Sequence, residues 1–326
     1  MIPDRPLRIV IPGGSGQIGE LLARFFQERG HHVTVLTRGP YTAAWRTVHW
    51  DGEHLGPWTE HLEGADVCIN LAGRSINCRF TPQHREELYN SRIRSTELLG
   101  DVIGTLADPP KVWLNASTAT IYRHSLDQPQ DEVTGEYGGD EPVGRRSRPP
   151  EKWNFLVQLT LDWEAAFFAA FTPNTRKVAL RTSLVMSPGG GAFPALLNLV
   201  RFSLGGTQGG GRQMVSWMHE LDYARAVEFL IAQDEMEGAV NLTAPAPVPN
   251  RELMAALREA YGMPNGIPAP APLLELAALV MRTESELVLK SRYVVPTRLV
   301  EAGFRFLYPQ WREAAEDLVA QWRRRE

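Results

Sequence analysis

A chain of 326 residues, 43% hydrophobic and 22% charged, has ordinary globular composition and enough apolar material for a large core. That length allows one large α/β domain, or one domain with a smaller appendage. A net charge of −4, with no basic run beyond Arg323-Arg324-Arg325, argues against nucleic acid or an anionic membrane surface as partner. The two cysteines, Cys68 in an apolar run and Cys78 in a loop, do not make a disulfide framework and fit a reducing compartment. The first strand opens by Leu7, which leaves no room for a signal peptide, and no apolar run reaches transmembrane length. A cytoplasmic, soluble monomer or homodimer acting on a small molecule is expected, with no metal site.

Strand candidates alternate with helical patterns over the first half, which predicts βαβ units and a parallel sheet. The expected strands are residues 7–11, 33–37, 47–50, 67–71, 112–116 and 178–184, with a further one at 239–243. The first helix carries apolar residues at Ile18, Leu21, Leu22, Phe25 and Phe26, the stripe of a helix packed on a sheet. Gly30 then stands where a left-handed C-terminal cap is wanted. Residues 124–150 are polar and rich in Gly and Pro, too long for an ordinary connection, and predict a lid, an insertion or partial disorder. Glycine-rich loops recur between 185 and 220, and helical patterns dominate from Arg251 onward, broken by prolines between 264 and 272. The fold class is α/β: a Rossmann-like doubly wound parallel sheet over residues 1–250, with a small, mostly helical subdomain over 251–326. Residues 205–217 and the helices after Pro272 are expected to close over the substrate end, since loops on the carboxyl side of such a sheet build the crevice.

Between the first strand and first helix lies Gly13-Gly14-Ser15-Gly16-Gln17-Ile18-Gly19. A glycine loop in this strand–helix context predicts dinucleotide binding. Gly13 lets the chain turn, Gly16 lets backbone N–H groups approach a pyrophosphate, and Gly19 lets helix and strand pack closely. The helix N-terminus adds partial positive charge, with Ser15, Gln17 and Ile18 completing the candidate contacts. The alternative is a tight turn that binds nothing. An NAD site places an acidic residue on the order of 20 residues further on, at the end of the second strand. Here that end reads Thr37-Arg38-Gly39, with no carboxylate, and Arg38 is placed to meet a 2′-phosphate. NADP(H) is therefore the expected cofactor, a solvated surface arginine being the other possibility. Asn70-Leu71-Ala72-Gly73 ends the fourth strand, where backbone passes the cofactor ribose, and Asp51 ends the third, near the adenine. Either is also compatible with a strand-ending turn.

The glycine loop, Thr37-Arg38, Asn70-Leu71-Ala72-Gly73 and the strand end Ala116-Ser117-Thr118 together resemble the extended short-chain dehydrogenase/reductase superfamily. More narrowly, the chain resembles its "epimerase family" proteins with a C-terminal domain of unknown function. Those matches are Ser91-Arg92-Ile93 with Thr96, Trp163-Glu164-Ala165-Ala166, Gly211-Arg212-Gln213 with Trp217-Met218-His219, and Val295-Pro296-Thr297-Arg298-Leu299 with Glu301-Ala302-Gly303-Phe304. They span nearly the whole chain, and imply a Rossmann-like fold, NADP(H) binding and a small C-terminal subdomain. Departures are Pro12 in place of threonine, Arg123 in place of glycine, and the long 124–150 stretch.

Reductases and epimerases of the superfamily use a Tyr-x-x-x-Lys pair, stacked on one helix face. The pair lets the phenol exchange a proton at neutral pH. The expected helix here covers residues 153–171, and matching Glu164 to the family puts Leu156 and Thr160 at the two positions. No register helps: of Lys111, Lys152, Lys177 and Lys290, none has a tyrosine four residues earlier. An atypical oxidoreductase or epimerase-like enzyme is expected, slow on UDP-sugars and simple ketones, or else a non-catalytic NADP(H)-binding sensor. Ser117, Thr118 and Tyr122 are the catalytic candidates, although the hydroxyls of the first two also suit a strand end and Tyr122 also suits a pocket wall. Arg212 is a candidate for an anionic substrate group. His219 is another substrate-side candidate, or an anchor for the next helix.

Overall fold

The computed structural model describes residues 5–143, 148–280 and 284–325. In chain order it runs β1 (Arg8–Pro12), α1 (Gln17–Glu28), β2 (His32–Thr37), β3 (Arg46–His49), β4 (Val67–Asn70), α2 (Pro82–Thr105), β5 (Val112–Thr118), α3 (Glu151–Ala169) and β6 (Arg176–Thr182). There follow β7 (Leu184–Met186), α4 (Ala192–Arg201), β8 (Met214–Val215), β9 (Trp217–His219), α5 (Glu220–Ala232), β10 (Gly238–Leu242) and β11 (Val248–Pro249). The chain ends in α6 (Asn250–Tyr261), α7 (Ala271–Val280), α8 (Glu286–Leu289), α9 (Thr297–Glu301) and α10 (Trp311–Arg323).

Seven strands form one parallel sheet in the order β10-β6-β5-β4-β1-β2-β3. The chain reverses its direction of travel between β1 and β4, so a crevice opens at their carboxyl ends. Helices cover both faces, which is why β1 and β4 are near-continuous apolar runs and not alternating ones. Phe26 and Leu22 of α1 are fully buried against the sheet, as the stripe requires. Gly30 takes φ +82°, and His31 N donates to Phe26 O while Gly30 N donates to Gln27 O. That is a Schellman close to the helix, and it sets the angle at which β2 enters.

The strand ends differ from expectation by a residue or two, and in one place by more. The run expected as a single strand over 178–184 is divided. β6 stops at Thr182, Ser183 N turns to Leu242 O, and β7 pairs in parallel with β9 as a separate small sheet. Around β7 and β9 lies a second apolar core. Phe193, Leu197 and Trp217 pack there against Leu253, Leu257, Trp311 and Leu318, so both sides of residue 250 build it together. Among the described residues no helix is long and apolar enough to cross a membrane.

The described part of the 124–150 stretch is ordered. Tyr122 bridges Tyr137, Arg123 N donates to Glu136 O, and Gln130 exchanges backbone bonds with Tyr293 and Val295. It thus ties the end of β5 to the C-terminal segment. Residues 144–147 of the expected lid lie outside the described residues.

Candidate functional site

At the β1/β4 switch point lies a cleft of about 660 Å³. Nine of the residues singled out in the sequence line it: Gly13, Ser15, Gly16, Thr37, Arg38, Asp51, Leu71, Ala72 and Gly73. Gly13 holds φ +74°, and a Cβ there would lie 2.6 Å from Ala72 N, so any side chain would push the β4 loop away. Gly19 is equally constrained, its Cβ falling 2.3 Å from Gly14 Cα, so the close approach is of α1 to the glycine loop, where packing against the strand was expected. Gly16 is different. It caps α1 in extended geometry without a side-chain bond, and a Cβ would meet nothing nearer than Gly13 O at 3.8 Å. No contact among the described residues demands glycine there, whereas a phosphate resting on the open N–H groups of α1 would.

Thr37 Oγ1 donates to Ser15 Oγ at 3.0 Å, joining the end of β2 to the glycine loop. Arg38 follows it, exposed and with no hydrogen bond or ion pair among the described residues. Asp51 is committed to its own turn: its carboxylate accepts from Glu53 N and His54 N and pairs with the His54 ring. Those bonds, led by the one from Glu53 N, hold its pKa well below the usual carboxylate range. Asn70 supports the cleft without lining it. Its side chain is fully buried, accepts from Ala72 N at 3.0 Å and donates to Asn115 Oδ1 at 2.7 Å, thereby shaping the 71–73 loop. Gln17, Ile18 and Gly19 also stand behind the lining. Sequence reasoning missed Arg74, which pairs with Glu87 across the cleft mouth, and Ser95 of α2. The resemblance quoted Ser91, but not as a lining residue; it bonds Arg74 N at 3.0 Å.

A second polar assembly sits at the carboxyl ends of β5 and β6, where Ser117 pairs in register with Arg181. Arg181 is almost fully buried and forks onto Glu164 of α3 through Nε at 2.9 Å and a terminal nitrogen at 2.7 Å. Its remaining donors reach Tyr122 OH at 2.8 Å and Tyr137 OH at 2.9 Å. Ser117 Oγ donates to Glu164 Oε1 at 2.5 Å, and Tyr122 OH donates to Asn241 Oδ1 at 3.0 Å. Burial pushes the Tyr122 phenol up to about 12, against the opposing pull of Arg181. Both catalytic candidates are therefore engaged in a closed network and present no spare donor to a substrate. The third, Thr118, is half-buried; its Oγ1 accepts from Thr120 N and donates to Thr120 Oγ1, both at 3.2 Å. At the superfamily's tyrosine and lysine positions, Leu156 and Thr160 are buried, with Thr160 Oγ1 bonded to Leu156 O. His219 is fully buried: Nδ1 accepts from Leu221 N as the cap of α5, and Nε2 meets Asp317 at 3.0 Å. Burial, the larger influence, lowers its pKa despite Asp317. It anchors α5 to α10. Arg212 is exposed beside Gly211.

The C-terminal segment brings charged groups that sequence reasoning did not place. Lys290 Nζ donates to Thr120 O at 2.9 Å, and Arg292 Nε donates to Thr120 Oγ1 at 3.2 Å. Arg292 also pairs with buried Glu286 at 2.7 Å, while buried Glu284 takes Lys152 at 2.7 Å and Phe80 N at 3.0 Å. Ser291 bonds His124 and Ser125, and Met214 N bonds Ser291 Oγ, so the 208–216 loop, the end of β5 and residues 284–295 meet.

A doubly wound seven-stranded parallel sheet with a glycine-lined cleft at its switch point defines a Rossmann-like α/β protein. Residues 9–242 match the NAD dependent epimerase/dehydratase family, and the chain belongs to that family; residues 269–318 match a domain of unknown function, DUF1731. The chain is 32% identical over 322 residues to the mouse epimerase family protein SDR39U1, covering 96% of this chain and 100% of that one. It is also 32% identical over 314 residues to an epimerase family protein of Staphylococcus epidermidis, covering 96% and 99%. Among solved structures, the human epimerase family protein SDR39U1 with NADPH superposes with a TM-score of 0.82 at 28% identity, over 96% of this chain and 99% of that one.

Proposed function

We propose that this chain binds NADP(H) in the β1/β4 cleft and acts on a small polar substrate as an oxidoreductase or epimerase-like enzyme of atypical mechanism. The observation that carries the cofactor choice is Arg38, a cation without a partner among the described residues, at the end of β2 where an NAD site would hold a carboxylate. The human relative solved with NADPH supports the same choice. The open N-terminus of α1 would hold the pyrophosphate, Arg38 the 2′-phosphate, and the Leu71-Ala72-Gly73 backbone would pass the ribose. A nicotinamide bound there supplies hydride chemistry, and the protein must supply the proton. Leu156 and Thr160 supply none, and Ser117 and Tyr122 are bonded elsewhere. Buried, unlinked Cys68 and Cys78 are compatible with a cytoplasmic setting.

The closed Ser117–Glu164–Arg181–Tyr122 network favours a second reading, a protein that binds NADP(H) without turning anything over and reports cofactor state to a partner. Incubation of the NADPH complex with a panel of aldehydes, ketones and quinones, followed at the reduced nicotinamide absorbance, separates the two. Substrate-dependent oxidation supports the enzyme; an inert complex across the panel supports the sensor. Calorimetric titration with NADPH and NADH tests the cofactor itself, and equal affinities would overturn it.

A further inference from the structure

We propose that Lys290, carried in by the C-terminal domain, is the group that exchanges a proton with the substrate oxygen in place of the missing phenol. This rests on the chain being the NADP(H)-dependent enzyme proposed above. In the reducing direction the ammonium N–H bond breaks and an O–H bond forms on the carbonyl oxygen, while its carbon accepts hydride from the reduced nicotinamide. The neutral amine left behind is reprotonated from water.

Position comes first. Ligands in open α/β sheets bind outside the carboxyl ends of the strands, at the switch point. Lys290 Nζ lies 2.9 Å from Thr120 O, in the short turn that continues β5 past Thr118. It reaches that turn from the C-terminal segment, 170 residues away in sequence.

Its bonding comes second. Lys290 is 2% exposed, yet among the described residues its ammonium makes one hydrogen bond, to a backbone carbonyl. An ammonium has three donors, so two remain without a described protein partner. The other lysines differ: Lys152 pairs with Glu284, Lys177 bonds three carbonyls at the end of α3, and Lys111 is exposed. The charged groups around Lys290 are mixed. Arg292, already paired with Glu286, follows it in its own segment, and Glu141 and His124 act on it from the 124–150 stretch. Glu286 Oε2 is buried with no partner among the described residues, a second unmet polar atom in the cluster. A structural lysine has its donors met, as those of Lys177 are by three carbonyls; two of the Lys290 donors have no described partner and are left for a ligand or for proton exchange.

The electrostatics agree. Burial, helped by Arg292, pushes Lys290 down to about 8, against the weaker pull of Glu286 and Glu141. A group with its pKa near the working pH is the efficient proton exchanger.

Because the chain has four lysines, the group can be observed directly. Full-length protein labelled with [ε-13C]lysine is titrated by NMR as its NADP+ and NADPH complexes, and the signal missing in Lys290→Met is assigned to Lys290. Should that variant fail to fold, Lys111→Arg, Lys152→Arg and Lys177→Arg assign it by elimination. The expected midpoint is near 8. The positive charge of the oxidised ring would also lower it relative to the NADPH complex, by on the order of 1 pH unit. An ordinary lysine midpoint near about 10.4, or the same midpoint in both complexes, overturns the proposal. Calorimetry showing no binding of either cofactor instead removes the NADP(H) reading, and the role of Lys290 falls with it.

Discussion

The cleft at β1 and the cluster at the ends of β5 and β6 share one sheet but are assembled from very different stretches of chain. The cleft uses adjacent strand ends: Gly13 after β1, Thr37 and Arg38 at β2, Leu71-Ala72-Gly73 after β4. Each residue there needs only its own strand–loop–helix unit to be in place, and glycine or a lone arginine is enough. The cluster at β5 draws Glu164 from α3, Arg181 from β6, Asn241 from β10 and Lys290 from beyond α8. Its chemistry is in pairings, and a pairing has no local mark in sequence. A cofactor site can therefore be kept by a short motif, while the proton-handling side can be rewired by exchanging distant partners.

The largest effect should come from breaking the far cluster. Glu164→Gln leaves Arg181 buried without its carboxylate, and is expected to cost about 3–5 kcal/mol in denaturant unfolding. NADPH affinity of the folded fraction should hardly change. A cost below about 1 kcal/mol, the range of exposed ion pairs, would mean the fork is not a buried pair in solution. In the cleft, Gly13→Ala combines a left-handed φ with a Cβ 2.6 Å from Ala72 N. We expect about 1–3 kcal/mol of lost stability, together with a loss of NADPH binding out of proportion to it, because the β4 loop must move. Normal binding by this variant would break the claim that Gly13 and Ala72 shape the site.

The contrast in legibility follows the same lines. The α1 stripe, the Gly30 cap and the parallel strands were readable because period and glycine placement are local consequences of backbone geometry. Nine of the cofactor candidates line the cleft for the same reason, whereas Asn70 sits behind it because its amide bonds the loop backbone. Tyr122 and Ser117 were attractive by position alone. Nothing in sequence says that Arg181 of β6 stands in register with Ser117, bonds the Tyr122 hydroxyl itself and holds the Glu164 carboxylate that takes the Ser117 hydroxyl. Lys290 was visible only as a lysine lacking a tyrosine partner. Its burial follows from a C-terminal segment whose docking no periodicity announces.

Two smaller effects sharpen the comparison. Tyr122→Phe removes one bond each from Asn241 and Arg181, and should cost about 1–2 kcal/mol with cofactor affinity unchanged. A large loss of turnover at unchanged stability would return Tyr122 to the chemistry. For Lys290 the folded pKa lies below the unfolded one, so burial of the ammonium destabilises fully below about 8. That penalty is relieved as pH rises towards the unfolded value. Lys290→Met should therefore gain most in melting temperature relative to the parent near pH 7, and the gap should narrow by pH 10. A gap independent of pH would contradict the downward shift.

The most direct test of the cofactor site is a cycle of four calorimetric titrations, parent and Arg38→Ala, each with NADPH and with NADH. A charge-assisted contact of about 1.5–3 kcal/mol predicts that the variant loses about tenfold to a hundredfold in NADPH affinity and nothing for NADH. Equal losses for the two cofactors, or none for either, would contradict the placing of the 2′-phosphate at Arg38.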